Sequence, residues 1–361
     1  MSSKSLFYHS DCFHFKGDLP CKPHKEFDVH CSDCSYYKKE EGKILIIKLG
    51  ALGDVIRTTP LLEKLRKEYP KHSIWWVTYS PDILPSDAID KIFKLNFESY
   101  LQLKNTEFDI IYSLDKDIPA CSLAKELNAK QKFGFTLENG KAAPINELAQ
   151  HKFNTGLFDD VNKANTKSYV EEIYEICGFK FNGEEYVLDV TSDKAWDLQG
   201  SQGKKIIGLN TGCGDRWVSR LWADENWIAL IKLLQANNYY PLLLGGAAEE
   251  EKNKYFAEVT GAHYAGNFSL KDFISLMNQC ELVVTAVTMG MHIAMGLKKK
   301  LVLMNNIFNK HEFELYGRGE IIEPLKQCHC YFAASCKHTE YSCMEHLPVE
   351  LIFNSIEKQT K

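Results

Sequence analysis

Residues 43–65, KILIIKLGALGDVIRTTPLLEKL, constrain the fold more than any other stretch of the chain. Residues 44–47 form an apolar run without polar alternation, the pattern of a strand covered on both faces in a parallel sheet. Gly50 and Gly53 bracket a tight turn, and Asp54 follows where a helix can start. Val55, Leu61, Leu62 and Leu65 supply that helix with an apolar face, and Pro60 is expected to bend it. Strand, glycine turn and helix make the first half of a βαβ unit. Its turn opens at the carboxyl end of a strand, where open α/β sheets bind ligands. The turn is neither G-x-G-x-x-G nor a Walker A sequence, which argues against a dehydrogenase and a P-loop enzyme. Asp54 has two compatible readings: a helix N-cap, and a carboxylate at a cleft mouth able to take a proton from a substrate hydroxyl.

A chain of 361 residues exceeds one ordinary core and implies two domains. Its 45% hydrophobic and 25% charged residues fit a soluble globular protein, and a net charge of −5 gives no nucleic-acid signal. Neither a signal-peptide h-region nor an apolar run of membrane-spanning length is present, so a cytoplasmic protein with at most peripheral membrane contact is expected. In a reducing compartment, clusters among its 12 cysteines point to metal rather than disulfides.

The first cluster lies in residues 1–42, where Cys12, Cys21, Cys31 and Cys34 are spaced C-x8-C-x9-C-x2-C with His14, His24 and His30 between them. Two thiolates spaced like Cys31 and Cys34 can face one ion, and this charged, aliphatic-poor segment cannot build a core of its own. A structural zinc or iron site with all four positions filled is expected. The second cluster, Cys328, Cys330, Cys336 and Cys343, is spaced C-x-C-x5-C-x6-C, with His329, His338 and His346 nearby. Two four-cysteine sites are the expected arrangement, although the chain ends could meet and share one. Cys121, Cys177, Cys213 and Cys280 are scattered and read as buried thiols.

Between the clusters, residues 43–190 read as one doubly wound domain, with further strands at 73–79 and 108–114 and a helix at 171–177. Periodicity lapses at 191–205, and the theme restarts over 205–327. There the strand 205–210 runs into a turn with Thr211, Gly212, Arg216 and Arg220, suited to a diphosphate through backbone donors and guanidinium charge. A solvated surface turn is the plainer alternative. Strand 240–244 closes on Gly245 and Gly246, and Ser269 with Asp272 reads as a capping box. A buried strand ending near Thr285 is followed by Thr288, Met289 and Gly290 and a helix carrying His292. Free N–H groups and the helix dipole favour a phosphate there, whereas His292 also reads as a core histidine. Residues 328–361 hold the second cluster and a final helix at about 349–356.

The run from Lys48 to Pro60, KLGALGDVIRTTP, resembles the opening motif of the heptosyltransferases, glycosyltransferase family 9. The second half is similar in order as well: Arg220-Leu-Trp222, the Leu-Leu-Gly-Gly-Ala turn, Gly-Asn-Phe-Ser-Leu and Thr-x-Gly-x-His. The resemblance covers residue 43 to the C-terminus. It implies an α/β protein of GT-B type, with two Rossmann-like doubly wound domains facing a central cleft. The acceptor would be held by the first domain and the nucleotide-sugar donor, typically ADP-heptose, by the second. It further implies inversion at the anomeric carbon, no catalytic metal, and Asp54 as the base. Thr211, Gly212, Arg216, Arg220, Thr288, Met289, Gly290 and His292 fall where the donor binds. A glycan or glycolipid acceptor, as in lipopolysaccharide biosynthesis, is the expected partner, with no nucleic acid. Autotransporter heptosyltransferases of this superfamily carry a four-cysteine iron site, with a spacing different from that of the second cluster. Two departures stand out. The family's usual Asp-Thr-Gly-Leu-Ser-His is Val287-Thr-Met-Gly-Met-His292 here, and its Phe-Gly-Pro-Thr is Asn305-Asn-Ile-Phe308. They motivate one alternative, a catalytically degenerate member kept as a metal-binding scaffold; a second, from the shared architecture, is a sugar-nucleotide epimerase or hydrolase.

Overall fold

A computed structural model describes residues 7–214, 217–326, 328–337 and 342–361. The chain divides into two compact units. The first comprises Met1–Leu49, Leu61–Pro81 and Ser86–Asn146, and the second Gly50–Pro60, Asp82–Pro85 and Glu147–Lys361.

The sheet of the first unit is built from β1 (Gly42–Ile47), β2 (His72–Thr78), β3 (Lys91–Lys94), β4 (Glu107–Ser113), β5 (Asn128–Glu138) and β6 (Lys141–Pro144). Its order is β3-β2-β1-β4-β5-β6, parallel throughout except for the β5–β6 hairpin. Residues 44–47 are fully buried in the central strand, as their unbroken apolarity requires. Leu45 and Ile47 pack with Trp75, Phe108 and Ile111 in one core. The polar stretch beyond Phe133, which offers no apolar period, forms the hairpin at the edge of the sheet, where half-exposed strands accept polar residues.

The second unit repeats the plan with β7 (Ile206–Asn210), β8 (Tyr240–Leu244), β9 (His263–Tyr264), β10 (Leu282–Ala286), β11 (Lys300–Met304) and β12 (Gly319–Ile322). All neighbours are parallel, in the order β12-β11-β10-β7-β8-β9. Counted from its own first strand, each sheet therefore has the 3-2-1-4-5-6 order of the dinucleotide-binding fold. The expected doubly wound architecture is present in both halves. The last helix, Val349–Thr360, sets Ile352, Phe353 and Ile356 into the core formed by Leu209, Trp227 and Leu243. Each such apolar side chain contributes about 1.5–3 kcal/mol on burial.

Residues 179–205 contain neither helix nor strand, in keeping with the lapse of periodicity there. The partition falls earlier, however, at Asn146. Hydrogen bonds tie residues 147–176 into the second unit: Tyr174 Oη donates to the Pro60 carbonyl at 2.8 Å, and Asn309 Nδ2 to the Asn165 carbonyl at 2.7 Å. Among the described residues, no helix is long and apolar enough to cross a membrane.

Candidate active site

The strand order of the second unit reverses between β7 and β10. At such a switch point the turns leaving two adjacent strands diverge and open a crevice. Here the turn after β7 and the turn after β10 line a cavity of about 890 Å³, joined by Ala51 to Asp54 and Arg57 of the Gly50–Pro60 segment. All of the cavity's lining belongs to the second unit.

On one wall, the helix Leu52–Ile56 starts after Ala51, which offers no side-chain cap, and Asp54 lies in its first turn. The N-cap reading of Asp54 is thus corrected. Pro60 does more than bend the helix. The chain leaves helical geometry after Ile56 and restarts at Leu61–Glu68, because proline can neither donate nor clear the preceding turn. Thr58 and Thr59 close the break by donating their hydroxyls to the carbonyls of Asp54 and Ile56, each at 2.7 Å. Gly53 is required by a close approach: a Cβ there would stand 2.5 Å from His292 Cδ2.

Asp54 is oriented by Arg57, whose Nη2 lies 2.8 Å from Asp54 Oδ1, while Nη1 lies 2.9 Å from Glu312 Oε1. The guanidinium also sits 3.5 Å over the Tyr169 ring. Burial disfavours the Arg57 charge, but Asp54 and Glu312 outweigh it, so the net shift is upward and Arg57 stays protonated. Asp54 keeps 33% of its side chain exposed, against 10% for Arg57 and 16% for Glu312. A carboxylate with one oxygen fixed by a buried cation and an open edge on a cavity can accept a proton from a positioned hydroxyl.

The other wall carries most of the residues that the sequence groups around a donor. Gly212, Arg220, Thr288, Met289, Gly290 and His292 all line the cavity. Thr211 does not. It is buried, its hydroxyl donating to Asn253 Oδ1 at 2.6 Å and its carbonyl accepting from Lys252 Nζ at 2.8 Å, so it braces the turn. A Cβ at Gly212 would meet the Glu249 carboxylate at 1.9 Å, so a larger residue there must displace that side chain. Arg216 lies outside the described residues, as does His338 of the second cysteine cluster. Arg220 is buried, donates through Nη2 to the Cys213 carbonyl at 2.9 Å, and sits 5.5 Å over the Phe308 ring. Burial lowers its proton affinity, yet among the described residues no carboxylate pairs with it. Thr288 caps the helix Met289–Gly296, accepting from Gly290 N at 3.1 Å, and Asn210 Nδ2 donates to Thr288 Oγ1 at 3.2 Å.

The departures from the family pattern have local roles. Val287 adds an apolar side chain to the cavity wall. Asn305 closes its turn, donating to the Phe308 carbonyl at 2.9 Å and accepting from Phe308 N at 3.3 Å. That turn sets Phe308 beside Trp217 and Phe332, whose rings edge the same cavity. Ser269 does cap the helix Leu270–Met277, but Asp272 turns to the Ser192 hydroxyl rather than back to the Ser269 amide.

His292 is buried, and its Nδ1 finds no hydrogen-bond partner among the described residues. Burial first, then the nearby Arg57, depress it to about 3, with Asp54 opposing. Its folded value lies below the ordinary 6.5, so the unfolded chain takes up this proton first as pH falls. The associated stability is present above pH 6.5 and is lost progressively toward pH 3. Urea unfolding should show about 2–3 kcal/mol lost through this group at pH 4.5. His292→Gln should flatten the slope between pH 6.5 and 4.5; an unchanged slope would assign it to other groups.

The cysteine clusters lie elsewhere. Cys12, Cys21, Cys31 and Cys34 line a cavity of about 30 Å³ in the first unit. In the second unit Cys330 Sγ is 3.9 Å from Cys336 Sγ and accepts from Lys337 N at 3.2 Å, while Cys328 Sγ accepts from Cys330 N at 3.4 Å. Burial and neighbouring Cys343 push the Cys328 thiol up to about 12. Cys121, Cys177 and Cys280 are buried, as expected, and Cys213 is half-buried in the turn after β7.

Residues 99–337 match the profile of glycosyltransferase family 9 (heptosyltransferase). The lipopolysaccharide core heptosyltransferase OpsX of Haemophilus influenzae is 20% identical over 281 residues, 70% of this chain and 75% of OpsX. Among solved structures, the glycosyl transferase family 9 protein of Veillonella parvula superposes with a TM-score of 0.65 at 18% identity, covering 89% of this chain and 97% of its own. E. coli heptosyltransferase WaaC with ADP-2-deoxy-2-fluoro heptose gives a TM-score of 0.59 at 15% identity, covering 88% and 99% respectively.

Proposed function

The chain belongs to glycosyltransferase family 9 and is a glycosyltransferase of GT-B fold, and on that premise we propose that it transfers a heptose from ADP-heptose, with inversion, to a hydroxyl of a cell-surface glycan or glycolipid. One observation carries this reading: Asp54, fixed by Arg57, and Arg220 line the same cavity at the switch point of a parallel sheet. The donor assignment draws support from the relatives, since WaaC takes a fluorinated ADP-heptose. The acceptor assignment rests on the lipopolysaccharide core named for OpsX. The proposal assigns the reaction to the cytoplasm, as the source of the nucleotide-activated donor.

Asp54 takes the proton of the acceptor hydroxyl as its oxygen attacks the anomeric carbon. The bond from that carbon to the diphosphate oxygen breaks on the opposite face, and its electron pair leaves with ADP. Charge growing on the diphosphate meets Arg220 and the N–H groups at the start of the helix Met289–Gly296. Trp217, Phe308 and Phe332 add apolar rings to the lining of the same cavity, and apolar surroundings strengthen such charge contacts.

The test is calorimetry with ADP, UDP, GDP and ADP-heptose. Saturable binding confined to the adenine nucleotides is expected, and a preference for UDP or GDP would overturn the heptose assignment. Arg220→Met should weaken ADP about 10- to 100-fold, the worth of one charge-assisted contact. An unchanged ADP affinity would remove Arg220 from the donor site.

A further inference from the structure

We propose that Cys12, Cys21, Cys31 and Cys34 form a structural site for one thiophilic divalent ion, zinc or ferrous iron, that holds residues 7–41 in their fold. The proposal is independent of the glycosyl-transfer reading, because these residues belong to the first unit and line none of the cavity that holds Asp54.

Three separate pieces of chain deliver the thiols. Cys12 lies in a turn tied back by its bridge to Lys39, with Phe13 N donating to the Lys38 carbonyl at 2.8 Å. Cys21 precedes the helix Lys22–Phe27 at its N-cap, yet makes no side-chain capping bond. Cys31 and Cys34 come from the turn that follows, where His30 N donates to Asp33 Oδ1 at 3.1 Å. All four face one cavity of about 30 Å³, the volume of a single small guest. Each is a free thiol.

What the segment lacks is equally informative. Of residues 7–41 only Pro23 is buried, while Phe7, Tyr8, Phe15, Leu19, Phe27, Tyr36 and Tyr37 are exposed. Apolar burial therefore cannot offset the entropy of ordering this much chain. A four-thiolate ion supplies that free energy directly, as it does in zinc fingers. Of the nearby imidazoles, His24 Nδ1 bonds the Val29 carbonyl at 3.0 Å, while His9, tilted against Tyr37, and His14 line the same cavity as the thiols. Among the described residues, no three Cys, His, Asp or Glu side chains already stand in metal-binding geometry. Loading therefore proceeds by rotation of thiols that already share the cavity, with release of their protons.

Elemental analysis of the full chain purified without added metal tests this. Wild type should carry one equivalent that Cys31→Ser/Cys34→Ser lacks and Cys328→Ser/Cys343→Ser retains. The element found identifies the ion as iron or zinc. Where the first double variant does not fold, the Cys328→Ser/Cys343→Ser protein carries the test: stripping the ion with a chelator should expose four more thiols to Ellman's reagent, and adding zinc should hide them again. Full metal content in Cys31→Ser/Cys34→Ser, or wild type that neither carries metal nor binds added zinc, would overturn the site.

Discussion

Asp54→Asn is expected to lower turnover about a thousand-fold, the usual worth of a positioned general base, while leaving the dissociation constant for the nucleotide-sugar unchanged. Asparagine keeps an oxygen for Arg57 Nη2, now 2.8 Å from Asp54 Oδ1, so the helix Leu52–Ile56 and its packing persist. What is lost is the ability to take a proton. Single-turnover kinetics beside calorimetry separate the two quantities. Near-normal turnover would move the base to another residue, with Glu312 next in line because its carboxylate lines the same cavity.

The second large effect is expected at Arg57. Its removal as Arg57→Met strands Asp54 and Glu312 with no shared cation, and it withdraws the contact with the Tyr169 ring. Breaking one side of a buried ion pair costs about 3–5 kcal/mol, and the partial exposure of Asp54 brings the expectation to about 3 kcal/mol. Urea unfolding measures it. A double variant, Arg57→Met with Glu312→Met, should recover part of the loss, since the burden is an uncompensated charge rather than a missing contact. Activity carries a signature of its own. Without the guanidinium Asp54 loses the contact that orients it, so kcat must fall further than ADP affinity does. Stability lost with kcat unchanged would leave Arg57 a packing residue only.

The sequence discloses the strands far better than the site's polar wiring. Residues 44–47 and 240–244 are apolar without a break, and only a doubly covered strand buries such a run. Helix ends were less legible. Asp54 looks like a cap because caps are local chemistry, yet the actual start two residues earlier has no capping side chain at all. The β5–β6 hairpin leaves no signal in the sequence because edge strands need no apolar period. The motif groups Thr211 with the donor contacts, whereas its hydroxyl is spent on Asn253, which is 42 positions away. Arg57 and Glu312 stand 255 positions apart, and nothing in either local sequence announces the pairing. Spacing rules act over a helical turn or a strand pair. An ion pair closed by the whole fold leaves no periodic trace.

The segment Gly50–Pro60 grows out of the central strand of one sheet but is anchored among residues that follow Glu147. For anyone recombining members of this family, that entanglement sets the crossover rules. Fusing the front half of one parent to the back half of another would pair a foreign Gly53 with His292 and a foreign Arg57 with Glu312. Hybrids should work when the eleven-residue insert travels with the rear portion, even though the gene places it far upstream. Acceptor preference, if it resides in the front sheet, can then be exchanged without disturbing the chemistry.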